Sequence, residues 1–324
     1  MASSRVLQSH DSADLSSASW PIAASMLPFP ATGPDGTPIR ALGAKAWSAD
    51  LAEVSQIGFN HVEITDTWLR AGDLTPSELE ELAAAAATRG LKIPAVALIR
   101  RSILDPQDGR DNLSYSHRSL DAAAALGARV VSVGLHEPLT PAQQQTLWFW
   151  TQPGAVNDPA DPKAWKRAVD GLRELGQHAH DLGLLLSLEL YEDTYLGTAA
   201  QAVRLVRDIG LNAVGLNLDL GNLVRLHRPV EQWPDILTAA LPWTNYWHVK
   251  NYQRDEDPLT GQVFAVPTTM RDGIINYRSA VRQALAAGFA GVFTCEHYGG
   301  DGLGVSAENR RYLQTLLPAR EPSK

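Results

Sequence analysis

LLLSLELY, residues 184–191, alternates apolar and polar side chains from Leu186 onward. Successive side chains of a strand point to opposite faces. Leu186, Leu188 and Leu190 therefore share one face, and Ser187, Glu189 and Tyr191 share the other. The aliphatic face calls for a layer of helices. A carboxylate near the strand's C-terminal end belongs instead at the rim of an interior.

The same pattern returns three times downstream. In GLNLDLGN (215–222), Asn217 and Asp219 oppose Leu216, Leu218 and Leu220; in YWHVKNY (246–252), His248 and Lys250 fall on one face; in VFTCEHY (292–298), Thr294, Glu296 and Tyr298 align. Four successive strands thus carry a carboxylate or an imidazole near the C-terminal end, away from the aliphatic side.

Further out, the chain alternates short strand-like runs with longer helical ones. WPIAASMLPF, HVEITDTW, LKIPAVALI and ARVVSVGLH precede the four strands above, separated by amphipathic or Ala-rich stretches such as TPSELEELAAAAATRG and KAWKRAVDGLRELGQHAHDLG. Several stretches end at a glycine (Gly58, Gly90, Gly127, Gly183, Gly210), as where a helix stops at a left-handed residue. Eight such units between residues 20 and 317 average about 37 residues, which predicts an α/β fold, a (β/α)8 TIM barrel. No Gly-rich phosphate fingerprint follows the first strand, which weighs against a doubly wound sheet. Long insertions follow the fourth strand (137–163) and the seventh (253–272), placing both at the C-terminal mouth. Residues 1–19 read as a flexible N-terminal tail without a secretory apolar core, and 20–324 as one domain.

The composition narrows the partners. With 44% apolar residues and a net charge of −8, the chain has material for a core and no basic run. Nucleic acid and anionic membrane are disfavoured as partners, and no stretch approaches the roughly 20 apolar residues of a membrane span. Cys295 is the only cysteine, so there is no internal disulfide framework or cysteine zinc cluster. A soluble cytoplasmic protein acting on a small polar molecule is expected.

Three converging buried carboxylates demand a neutralising cation. Glu189, Asp219, His248 and Glu296 offer oxygen ligands and one nitrogen, a set suited to Mn²⁺, with Mg²⁺ or Co²⁺ as alternatives, more than to structural zinc. The series LELYED, NLDLGN, WHVKNY and CEHYGG resembles the metal-binding strands of the sugar phosphate isomerase/epimerase superfamily, the xylose-isomerase-like barrels. GFNHVEI, with Glu63, resembles that family's second strand. The resemblance implies a divalent metal on Glu189, Asp219, His248 and Glu296, a keto-sugar or polyol substrate, and acid/base roles for Glu189 and Glu296.

Two departures stand out. Asn222 occupies the place of a common histidine after the Asp219 strand, and Asn251 that of a common aspartate after His248. The chain adds His136, closing the fourth strand, which reads either as a proton-transfer base or as a capping histidine. Lys250 is a proton donor, an oxyanion partner or an ion-pair partner. Trp148, Phe149 and Trp150 form either a wall for a flat aglycone or packing for the insertion. Tyr298 and Asn222 are further candidates for substrate contact, and Arg225, His227 and Arg228 either grip an anionic group or are solvated. The branch of the superfamily that combines a metal with a histidine base, the C-glycoside deglycosidases and related 3-keto-glycoside lyases, is the leading expectation. A two-glutamate ketose isomerase or epimerase follows, then an apurinic-endonuclease-like enzyme or a non-catalytic subunit. A homo-oligomer or a complex with a second subunit is compatible with all of these.

Overall fold

A computed structural model of the chain describes residues 6–11 and 15–319. The strands are β1 (Ile22–Ser25), β2 (His61–Thr65), β3 (Lys92–Ala97), β4 (Val130–Val133), β5 (Leu185–Glu189), β6 (Val214–Asn217), β7 (Thr244–Val249), β8 (Asn251–Glu256), β9 (Val263–Thr268) and β10 (Val292–Cys295). All but β8 and β9 are parallel neighbours in a closed barrel, sealed where β1 pairs with both β10 (Ala24 beside Cys295) and β2 (Ala24 beside Val62). The helices are α1 (Ile39–Gln56), α2 (Pro76–Thr88), α3 (Gly109–Ala125), α4 (Pro141–Gln144), α5 (Pro162–Asp181), α6 (Ala199–Ile209), α7 (Leu220–Val224), α8 (Trp233–Ala240), α9 (Tyr277–Ala286) and α10 (Gly302–Gln314). The expected (β/α)8 barrel is present.

Local chemistry sets the helix limits. Thr75 and Glu78 form a reciprocal capping box at the start of α2, with Pro76 in its first turn. Asp161 caps α5, whose buried Ala168, Leu172, Leu175 and Ala179 recur at helical spacing, and Gly183 follows with φ of 71°. The outward face of the sheet is the aliphatic one: Leu186 and Leu188 lie in the core between barrel and helices, with Trp247 packed on Phe289 and Phe293.

Inside the barrel the layers change character with height. Ala23, Ala95, Val130, Leu185, Tyr246 and Val292 form an apolar cluster. The adjoining interior positions are polar and mutually bonded: Ser187 Oγ donates to Asn245 Oδ1 at 2.7 Å, and Asn217 Nδ2 donates to Ser132 Oγ at 3.0 Å. Gly215 leaves the room that Asn245 fills, since a Cβ there would lie 2.5 Å from the amide carbon.

The stretch expected as a flexible tail is partly tied down. Val6 is buried, Leu7 N donates to Asn212 O at 2.9 Å, and the Gln8 amide bonds Thr244 O at 2.8 Å and accepts from Ala290 N at 3.0 Å. Asn212, Thr244 and Ala290 lie at or just before strand starts, so this segment closes the bottom of the barrel. Residues 1–5 and 12–14 of that stretch lie outside the described residues.

Both long connections after strands lie at the mouth. The one after β4 contains α4 and a single 3₁₀ turn at Phe149–Thr151. The one after β7 is an antiparallel hairpin of β8 and β9, turning through Gly261 at φ of 69°. Among the described residues no helix is long and apolar enough to cross a membrane.

Candidate active site

The four expected ligands meet at the mouth, each at or beyond the end of its strand. Glu189 ends β5, Asp219 caps the short α7, His248 lies near the end of β7, and Glu296 follows β10. One ligand atom from each lies within 4.8 Å of the others, and all four side chains are buried. His248 Nδ1 stands 3.8 Å from both Glu189 Oε1 and Asp219 Oδ2. That is too long for hydrogen bonds, but close to the ~3–4 Å expected between ligand atoms sharing one ion at ~2.1 Å.

Neighbouring hydrogen bonds aim them. His248 Nε2 bonds Glu63 Oε2 at 2.7 Å, which puts the ring proton on Nε2 and frees Nδ1, buried and without a hydrogen-bond partner, for the ion. Glu63 is itself bonded by the Tyr246 hydroxyl, which also meets Thr294 Oγ1 at 2.5 Å. Asn222 Nδ2 donates to Glu189 Oε1 at 2.9 Å and to Leu190 O at 3.0 Å, while its backbone N–H donates to Asp219 Oδ1 at 3.1 Å. The amide that stands where a histidine is common thus holds two of the ligands. Asn251 has a different task. Its amide donates to Met270 O and Ile275 O, both at 2.9 Å, and pins the hairpin to the barrel.

Lys250 enters from the same face as His248. Its ammonium is 2.8 Å from Asp219 Oδ2 and hydrogen-bonds Glu296, beneath the Tyr298 ring. Gly221 makes room, because a Cβ there would sit 2.5 Å from Lys250 Cγ. Burial alone would discharge the lysine, but the charges of Asp219 and Glu296 outweigh it and keep its pKa well above the ordinary value. Burial lifts Asp219 to about 6 against the pull of Lys250. The donor set therefore fits a divalent ion: three carboxylates and one free imidazole nitrogen in a dry site that lysine alone does not neutralise.

His136 lies beside this cluster. Its ring folds back over Gly134, where an added Cβ would fall 2.2 Å from Nδ1, and stacks on Tyr191 with centroids 4.4 Å apart. Nδ1 is buried and unpartnered, and burial pushes the imidazole down to about 4 despite the nearby charge of Glu189. His136 is consequently neutral at pH 7. It borders a cavity of about 190 Å³ that is also lined by Arg100, Trp150, Tyr191 and Glu192.

The aromatic insertion covers the mouth. Trp150 is buried, with Tyr252 and Tyr298 edge-on at 5.5 and 5.6 Å, while Trp148 stacks on Trp150 at 5.1 Å and packs against Gly299. Arg225 is not solvated: it is fully buried, its Nη2 bonded to both carboxylate oxygens of Glu192 at 2.8 Å and its guanidinium flanked by the Phe149 and Trp150 rings, while Nε and Nη1 have no hydrogen-bond partner. Arg228 is paired with Asp193 at 2.6 Å, and His227 Nε2 lies 3.2 Å from Ala265 O. Two contributors carried little signal of their own, the Glu192–Arg225 pair and Tyr246. Glu63 did show itself, as a lone carboxylate between Val62 and Ile64.

Residues 51–316 match the xylose isomerase-like TIM barrel family, and the chain belongs to that family. It is an enzyme. It is 45% identical, with a TM-score of 0.90, to a xylose isomerase-like TIM barrel protein from Mycobacterium smegmatis crystallised in complex with magnesium, over 93% of this chain and 98% of that one. It is also similar to a D-psicose 3-epimerase of Agrobacterium fabrum, 25% identical over 251 residues (72% of this chain, 79% of the epimerase). An inosose dehydratase of Geobacillus thermodenitrificans is 24% identical over 258 residues, 76% of this chain and 80% of the dehydratase.

Proposed function

We propose that this enzyme abstracts the proton α to the carbonyl of a keto-sugar with the help of a divalent metal, and that it eliminates the aglycone of a 3-keto-glycoside. The observation that carries this reading is His136: a buried imidazole, neutral at pH 7, with an unpartnered ring nitrogen beside the four-ligand cluster and a cavity. A general base needs that combination of protonation state and position. The ion, when bound by Glu189, Asp219, His248 and Glu296, supplies Lewis-acid polarisation of the substrate carbonyl. Three oxygen ligands and one nitrogen favour Mn²⁺, with Mg²⁺ or Co²⁺ able to substitute.

The chain's own groups then divide the work. His136 takes the proton from carbon, the C–H electron pair passes into the carbonyl to give an enolate, and its return expels the aglycone as the carbon–aglycone bond breaks. Lys250, cationic between Asp219 and Glu296, protonates the departing group. Trp148, Trp150, Asn222 and Tyr298 bind and orient the substrate, and closure of the aromatic insertion excludes water. Small sugars and glycosides are the partners this site suits.

A second reading follows from the similarity to a psicose 3-epimerase: Glu189 and Glu296 exchange protons on opposite faces of a ketose, and His136 is structural. The similarity to a dehydratase supports elimination instead. Turnover of His136→Ala on a 3-keto-glycoside and on a simple ketose tests the choice. Loss of aglycone release by about 10²- to 10⁴-fold, the usual size of a general-base contribution, is expected. Undiminished release would leave His136 structural, and absence of aglycone release from the wild type, with deuterium from solvent entering a recovered ketose, would move the epimerase reading to first place.

A further inference from the structure

On the outside of the barrel, α3 and α5 each present a histidine and a carboxylate one turn apart. These are His117 and Asp121 on α3, and Glu174 and His178 on α5. The pairs cross between helices: His117 Nε2 lies 2.9 Å from Glu174 Oε1, and His178 Nε2 lies 3.1 Å from Asp121 Oδ1. Ionised carboxylates only accept, so each ring carries its N–H on Nε2, and a neutral imidazole then has only a lone pair on Nδ1. Those two Nδ1 atoms face each other at 2.9 Å. Two lone pairs at that distance repel unless a cation lies between them. Both side chains keep about a quarter of their surface exposed, 27% and 28%, so a hydrated ion can reach them.

We infer that His117 and His178 form a second metal site, for a divalent transition ion of the nitrogen-preferring kind such as Zn²⁺, Ni²⁺ or Cu²⁺. Two nitrogens bonded to one ion at ~2.1 Å with ~90–110° between them stand ~3.0–3.4 Å apart, so a small ring rotation from 2.9 Å completes the chelate. Glu174 and Asp121 stand behind the rings as the outer carboxylates that orient metal-binding imidazoles. Water fills the remaining positions. A pair of imidazoles suits borderline ions and not Mg²⁺, which selects oxygen, so this site and the barrel site take different metals. A bound ion clips α3 to α5 and stabilises the native state by mass action.

The test is Zn²⁺ binding to the full chain, by calorimetry and equilibrium dialysis, for wild type, His117→Phe and His178→Phe. Circular dichroism of the metal-free proteins verifies the fold, and His117→Gln and His178→Gln serve if a phenyl ring disturbs packing. Wild type is expected to take up one Zn²⁺ more per chain than either variant, and both variants are expected to lose that ion's thermal stabilisation. Glu174→Gln and Asp121→Asn should weaken the extra site by about 10- to 100-fold, the usual effect of removing an outer-shell partner. Equal stoichiometry in all three proteins overturns the proposal and leaves a pair that shares a proton only. Loss in one histidine variant alone overturns it as well, because a single surface imidazole would then hold the ion.

Discussion

At the scale of single residues, burial decides what each ionisable group can do. In the fold, burial pushes the His136 imidazole down from its ordinary 6.5 to about 4. Between those values the unfolded chain binds the extra proton, so this group's effect is to reduce stability as pH falls from about 6.5 toward 4 and to leave it unchanged above. The full difference is worth about 3 kcal/mol. Urea midpoints at pH 7 and pH 4.5 should therefore drop less for His136→Asn than for wild type; an equal drop would mean that the ring is protonated in the fold. Asp219 belongs to a different balance. Asp219→Ala removes one of the four proposed ion ligands and leaves Lys250 without one of its two carboxylates, so Mn²⁺ taken up at the mouth should fall from stoichiometric to near zero by elemental analysis. Full occupancy in that variant would refute the ligand assignment. Cys295 is also governed by burial, which pushes its thiol up to about 12. A neutral, enclosed thiol is a poor nucleophile.

At the scale of elements, a strand end and an insertion show how backbone space is used for chemistry. Gly134 lets the His136 ring fold back over β4's end, and its φ is not in the left-handed region, so alanine costs the backbone nothing there. Gly134→Ala should displace the imidazole and lower turnover about as much as His136→Ala, by about 10²- to 10⁴-fold, with metal content intact. Wild-type turnover in that variant would place the ring's working position elsewhere. The insertion after β4 is fastened by the buried Glu192–Arg225 pair, whose guanidinium lies among the rings of Phe149, Trp150 and Tyr298. Glu192→Ala leaves that charge uncompensated and should cost about 3–5 kcal/mol, whereas replacing both partners with apolar residues should cost less. Denaturant midpoints for the single and double variants measure the difference.

At the scale of the whole molecule, the barrel holds two environments apart: an aliphatic and aromatic layer outside the sheet, and a polar stack inside that ends in the cluster of Glu189, Asp219, His248 and Glu296. Trp247 is wholly buried in the outer layer, one residue before His248 in the inner one. Trp247→Ala should cost about 3–5 kcal/mol, read from the denaturant midpoint. Because the tryptophan faces the helices, metal affinity at the mouth should change far less than stability does.

The period of two in LLLSLELY, GLNLDLGN, YWHVKNY and VFTCEHY was enough to separate the two faces, and eight repeats of strand and helix were enough to close the barrel. Glu189, Asp219, His248 and Glu296 were legible for the same reason: alternation reports which face a side chain takes, and a carboxylate on the inward face at a strand's end has few other uses. The proximity of groups from distant strands carries no such local signal. Glu63 reaches His248 and Tyr246 only because β2 and β7 face one another across the barrel interior, and Arg225 looks like a surface residue until the fold buries it against Glu192 and the insertion. The β8–β9 hairpin was hidden because its first strand, NYQRDE, is largely solvent-facing and so lacks the apolar alternation that marks a buried strand. The docking of residues 6–8 under the barrel was hidden too, because its bonds end on the backbone carbonyls of Asn212 and Thr244, which any residue supplies. Periodicity along the chain thus specified faces and order, while contacts across the barrel, whose partners lie up to 185 positions apart, were decided by tertiary structure alone.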